Sequence, residues 1–160
     1  MDAVNFFSKE EKALIKSAVQ EAELNTSGEI RVHIDNRCKE EVMDRAAWWF
    51  AKLEMHKTEK RNGVLFYLAV KDRKFAILGD GGINAVTGDD FWDEIKEKML
   101  GHFKEGKFAE GLKEGILMAG EQLKKHFPYQ QDDVNELSDD ISFGGKESSN
   151  EKESSNEKES

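Results

Sequence analysis

Cysteine is nearly absent from this 160-residue chain: Cys38 stands alone. That excludes an intramolecular disulfide and any zinc site built on several thiolates. Proline is equally scarce, and Pro128, the only one, falls where the last helical pattern ends. No apolar run approaches the roughly 18 residues that a membrane-spanning helix requires. Asp2, Lys9 and Glu10 already charge the first ten residues, so the apolar stretch of an export signal is missing as well. A free thiol without such a signal points to a reducing cytoplasm. Positive charge is in deficit, with 24 Lys+Arg against 33 Asp+Glu and a net charge of −9. A nucleic-acid partner would ask for the opposite balance. The expectation is a cytoplasmic monomer that neither enters a membrane nor binds nucleic acid.

Catalytic signatures are also lacking. There is no Gly-Lys-Ser/Thr phosphate loop, and the histidines at 33, 56, 102 and 126 lie in separate elements without a His-Glu-x-x-His pair. Gly79-Asp80-Gly81 opens like a dinucleotide fingerprint, but Asn84 occupies the third glycine position and the loop follows a hairpin strand. Cys38 opens a helical pattern, which favours a thiolate, yet the sequence offers no adjacent base.

Apolar residues make up 38% of the chain and charged residues 36%, too few and too many for a wholly packed globule. The imbalance lies at the C-terminus: residues 131–160 carry 3 basic and 10 acidic side chains. Lys-Glu-Ser-Ser-Asn-Glu begins at Lys146, repeats at Lys152 and is cut short at Ser160. Residues 146–160 therefore read as a disordered tail, since ordering them would bury nothing. Residues 131–145 are acidic but hold Val134, Leu137, Ile141 and Phe143, which suits a loosely docked strap or linker. A linear motif for a protein partner is the other reading of that segment. The folded domain is assigned to residues 1–130.

Within it, Ser8 and Glu11 have capping-box spacing, and Leu14, Ile15, Ala18, Val19 and Ala22 recur at helical intervals. Glu29-Ile30-Arg31-Val32-His33-Ile34-Asp35 alternates with period two, the pattern of a half-buried strand. A helix from about Glu40 to Glu54 follows. The apolar run Val64–Val70 then reads as a strand covered on both faces, the stretch 71–74 as a tight turn, and Phe75–Leu78 as a third strand. After a glycine-rich loop come a short helix around Ile83–Val86, a longer one from Asp89 or Asp90, and a last one over about Lys107–His126. The aromatic pairs Trp48-Trp49 and Phe91-Trp92 are expected on helices, with one of each pair leaning outward. The fold class is α/β: a three-layer α/β/α sandwich with a small Rossmann-like mixed sheet, a β-α-β-hairpin-β core and helices on both faces.

That topology brings Ser27-Gly28-Glu29, Arg61-Asn62-Gly63 and Gly79-Asp80-Gly81-Gly82 to one edge of the sheet. Glu29, Asp80 and the amide oxygen of Asn62 are hard oxygen donors of the kind Ca²⁺ or Mg²⁺ takes. Asp89 and Asp90 follow closely enough to add charge, and Asp44 near the start of the second helix is a remoter candidate. The same residues also read as plain architecture: glycines for a turn, Asp80 as the cap of the short helix and Asp89 as an ordinary N-cap.

Several of these segments, taken in order, resemble the TPM domain family. They are Ser27-Gly28-Glu29-Ile30-Arg31-Val32, Arg61-Asn62-Gly63-Val64-Leu65, the run from Asp72 to Ile83, and the run from Phe103 to Leu112. His56-Lys57-Thr58 is similar to a soluble bacterial branch. The resemblance implies a Rossmann-like α/β sandwich and a divalent-metal site, usually taken as calcium. It also implies an acid phosphatase activity attributed to plant members. By likeness Glu29, Asn62 and Asp80 would ligate the metal, with Asp44 and Asp89 further out. Two functions follow as expectations. One is a metal-binding protein-interaction or regulatory module with a protein partner. The alternative is a metal-dependent acid phosphatase acting on phosphate monoesters through Asp80, Asp89 and Arg61.

Overall fold

The computed structural model describes residues 3–88, 90–129 and 137–144. A one-turn helix α1 (Ala3–Phe6) precedes α2 (Lys9–Glu23). Helix α2 begins with the expected capping box: the Ser8 hydroxyl accepts from the Glu11 N–H, and the Glu11 carboxylate accepts from the Ser8 N–H. The strands β1 (Glu29–Asp35), β2 (Gly63–Ala69) and β3 (Lys74–Gly79) alternate with α3 (Val42–Lys52), a short 3₁₀ turn at Met55–Lys57, and α4 (Gly81–Asn84). Helices α5 (Asp93–Lys104) and α6 (Phe108–His126) follow. Phe91 and Trp92 precede α5 rather than lying on it, and Trp92 is its N-cap.

Strands β1 and β2 are parallel, from Glu29 opposite Gly63 to Asp35 opposite Ala69. The hairpin sets β3 antiparallel to β2, with Val64 opposite Gly79. A fourth strand, β4 (Ser142–Phe143), comes from the segment read as a strap and pairs in parallel with β1, giving the sheet order β3-β2-β1-β4. The sequence predicts three strands because two residues are too short a run to show period-two alternation.

Side-chain alternation divides the interior. Ile30, Val32, Ile34, Val64, Phe66 and Ile77 face the layer of α2, α5 and α6, with Ile15, Val19, Ile95, Met99, Leu112 and Ile116. Leu65, Tyr67, Ala69 and Ala76 face α3 and its neighbours, with Cys38, Ala46, Phe50 and Met55. The result is the α/β/α sandwich, thicker on the side of three helices. Every residue of β2 is buried, as a continuous apolar run on a doubly covered strand requires. Strand β1 departs from expectation. It is covered on both faces, and Glu29, His33 and Asp35 are buried while Arg31 is partly so. Among the described residues no helix is long and apolar enough to cross a membrane.

Candidate functional site

The register places three predicted site residues at one sheet edge. The Glu29 N–H donates to the Asn62 carbonyl at 3.3 Å, the Asp80 N–H to the Gly63 carbonyl at 3.0 Å, and the Gly82 N–H to the Arg61 carbonyl at 2.8 Å. Glu29, Asn62 and Asp80 are all buried there. Arg61 turns into the left-handed region at φ 52° and folds its side chain onto Asp80. Its Nε donates to Oδ2 and its Nη2 to Oδ1, each at 2.8 Å, a bidentate fork. Asp80 also accepts from the Gly81 N–H at 2.7 Å and so caps α4, as one reading of the sequence anticipated. The Asn62 amide donates to the Ser27 hydroxyl at 3.3 Å, and the Glu29 Oε1 accepts from the Leu137 N–H.

The other candidates are not brought to this edge. Helix α3 starts beyond the opposite end of β1, so Asp44 stands in an exposed first turn far along the crossover, its N–H bonded to Glu41. Asp89 lies outside the described residues, and Asp90 is exposed in the turn before α5. Among the described residues no three His, Cys, Asp or Glu side chains gather as a metal cage. The edge does hold hard oxygens of the type a divalent cation takes. The pair of Asp80 with Arg61 there has the guanidinium 55% exposed and the carboxylate 5%. The donor chemistry fits a hard cation once the guanidinium gives way. Cys38 is buried, precedes α3 by several residues and donates to the Glu40 carbonyl at 3.3 Å, which suits a packing role.

A second polar assembly, at the other end of β1, escaped the sequence reading. Asp35 Oδ2 accepts from the Tyr67 hydroxyl at 2.7 Å and the Trp49 indole at 3.0 Å, with Arg45 Nε at 3.5 Å. Its Oδ1 lies 2.9 Å from His33 Nε2, and His33 Nδ1 lies 2.8 Å from the Ser142 hydroxyl. The imidazole stacks on Trp49 with centroids 3.6 Å apart. Burial works against the Asp35 charge, but His33, the Tyr67 hydroxyl and Arg45 outweigh it and hold the carboxyl below its usual range. Burial holds His33 below the ordinary histidine value despite Asp35 beside it, so the ring is neutral at pH 7. The available signal was two polar residues, His33 and Asp35, on the same face of a strand whose neighbour β2 is apolar throughout. Trp48, by contrast, leans outward under Arg45 and Lys52, as one of the Trp pair was expected to do.

The arrangement of β1, β2 and the β3 hairpin with three helices behind them matches a known domain over most of the chain. The TPM domain model matches residues 1–122. The chain belongs to the TPM domain family. Among solved structures, this TPM domain is similar to the BA42 protein of the psychrophilic bacterium Bizionia argentinensis, with 47% identity and a TM-score of 0.82. That match covers 87% of this chain and 96% of BA42. The N-terminal domain of a protein from P. gingivalis is similar at 20% identity and a TM-score of 0.61, covering 76% of this chain and 78% of that one. The N-terminal domain of cg2496 from Corynebacterium glutamicum, at 12% identity and a TM-score of 0.60, covers 74% and 75%. These two share the fold. No curated protein matches the sequence.

Proposed function

We propose that this TPM domain is a divalent-cation-binding interaction module rather than a hydrolase. Ca²⁺, and more weakly Mg²⁺, would be held by Glu29, Asn62 and Asp80. The observation that carries this reading is the Arg61–Asp80 pair, a buried carboxylate whose counter-charge is a guanidinium largely in solvent. A hard cation can take over that neutralising role because Arg61 has water to move into, whereas Asp80 is fixed by β3 and by its cap on α4. When bound, the cation supplies positive charge and oxygen coordination. Asp80 would pass that change to Gly81 and the α4 turn through the hydrogen bond it already makes.

Titration with Ca²⁺ is expected to move the amide resonances of Gly79–Gly82 in a saturable way. Asp80→Asn should abolish the response. Arg61→Ala removes the competing cation and should tighten binding about fivefold. A loop that stays still in both the wild type and Arg61→Ala would refute the assignment.

The phosphatase reading would ask Arg61, once a cation has drawn it off Asp80, to clamp phosphate oxygens, so its fork, which is aimed at Asp80, is not preorganised for them. Uncatalysed hydrolysis of phosphate monoesters needs acceleration of up to ~10²¹-fold, and so a large preorganised electrostatic site. Purified protein with Ca²⁺ or Mg²⁺ is therefore expected to hydrolyse an activated aryl phosphate within about twofold of buffer alone. A saturable rate that vanishes in both Asp80→Asn and Arg61→Ala, with the fold intact, would assign the phosphatase instead.

A further inference from the structure

The segment 137–144 lies along the outer edge of β1 by a short set of contacts. Gly144 N–H donates to the Ile34 carbonyl at 2.9 Å, and Ser142 and Phe143 stand opposite His33 and Ile34. Arg31 donates to the Asp140 carbonyl at 3.3 Å, and Lys16 meets the Asp140 carboxylate at 2.8 Å on an exposed surface. At the start of the segment the Leu137 N–H reaches Glu29. Where Asp139 passes Glu23, burial first and a hydrogen bond from the protonated Glu23 to Asp139 second push the Glu23 carboxyl up to about 9. So two acids face each other across this seam. A two-residue strand, an exposed ion pair and three half-buried apolar side chains, Leu137, Ile141 and Phe143, are a small return for ordering eight residues.

The fit is nevertheless specific at three successive positions. The Ser142 hydroxyl meets the His33 imidazole. Phe143 turns to the opposite face and packs against the main core, with Lys12 Nζ 5.3 Å from its ring centroid. Gly144 lies over the buried cluster, where a Cβ would overlap Asp35 Oδ1 and stand 2.9 Å from Trp49 and 3.0 Å from His33 Nε2. The groove thus reads hydroxyl, large apolar, glycine in an extended backbone.

We propose that the outer edge of β1 is a docking groove for an extended segment of a partner protein with that hydroxyl–apolar–glycine pattern, and that residues 137–144 are its resident, exchangeable occupant. Strand addition to an exposed sheet edge draws affinity from main-chain hydrogen bonds and specificity from alternate side-chain positions. The chain's own strap holds the groove closed until a competitor displaces it, leaving Asp35 and its donors to be covered by the incoming strand. The inference rests on the interaction-module part of the proposed function and is independent of the cation part. A missing Ca²⁺ response would leave it standing, and failed strand exchange would leave the cation site standing.

The test uses the full chain with Gly144→Val, whose own strap can no longer seat, and a synthetic peptide of wild-type sequence spanning residues 137–144. Saturable shifts of the His33 and Ile34 amides are expected in the variant. Binding to the wild type should be at least about tenfold weaker, since the tethered strap competes at high effective concentration. Peptides carrying valine in place of Ser142 or of Gly144 should each lose about tenfold. Should Gly144→Val fail to fold, Asp140→Lys loosens the seam at the surface without touching the buried cluster, and the same titration applies. Absence of peptide binding in a folded strap-released variant, or equal binding of a scrambled peptide, overturns the proposal. A wild-type dimer that forms with concentration and dissolves on adding peptide would overturn the partner assignment and give the groove to a second copy of the chain.

Discussion

Asp35→Ala is expected to cost the fold about 3–5 kcal/mol, the range found when one member of a buried charged network is removed. In the native protein a single carboxylate satisfies the Tyr67 hydroxyl, the Trp49 indole and the His33 ring, and it faces Arg45. Alanine would leave those donors buried without an acceptor, and each orphaned group carries its own desolvation penalty of about 1–3 kcal/mol. Urea denaturation followed by circular dichroism should show the midpoint falling by more than about 1 M. Asp35→Asn should cost less, about 1–3 kcal/mol. Its oxygen can still accept from Tyr67 and Trp49, and His33 can change tautomer to accept from the new amide. The acid limb of stability identifies the charge. Asp35 has a folded pKa below its unfolded value, so its contribution is present above the ordinary carboxylate range and is lost as pH falls through the folded value. His33, lowered by burial, adds a loss that begins as pH drops below its ordinary value of about 6.5. Asp35→Asn should remove the lower limb and retain the histidine limb. An unchanged profile in the asparagine variant would show that Asp35 is not ionised in the native state.

Gly82→Ala carries the second large effect, about 1–3 kcal/mol from overpacking. An added Cβ would overlap the Lys60 carbonyl and lie 2.5 Å from the Arg61 carbonyl, both of them backbone atoms with no rotamer to escape into. The Arg61 carbonyl is also the acceptor of the Gly82 N–H, so the clash falls on the bond that joins the two loops of the edge. Separating them would break the Arg61–Asp80 fork as well as lower stability. Gly81→Ala is the internal control: its Cβ would meet nothing within 4 Å, and thermal melting should place it close to the wild type. Equal tolerance of the two substitutions would contradict the close approach of α4 to the 60–61 backbone.

Most of the layer architecture was legible because period and turn chemistry are local. The capping box at Ser8 and Glu11, the uninterrupted apolar run of β2 and the tight turn before β3 each state their own structure within a few residues. The convergence of Glu29, Asn62 and Asp80 was also legible, since a parallel crossover followed by a hairpin forces those three loops to one edge. Asp44 was harder to place. A helix that returns along the sheet begins at the far end, and acidity alone carries no position.

What the chain by itself determined, then, is the order of strands β1 to β3, the two faces of the core and the membership of the TPM domain family. Hydrophobic periodicity and turn residues decide these over short spans, where the chain has few alternatives. Only the tertiary structure decided which charges meet. The pairing of Arg61 with Asp80 spans 19 positions, Tyr67 reaches Asp35 across 32, and Ser142 reaches His33 across 109. No local pattern records such contacts, because a buried carboxylate takes whichever donors the packed layers deliver. The alternation that read as a half-buried strand became a closed interior once α3 and β4 covered it, and burial turned His33 and Asp35 into a network that must be satisfied.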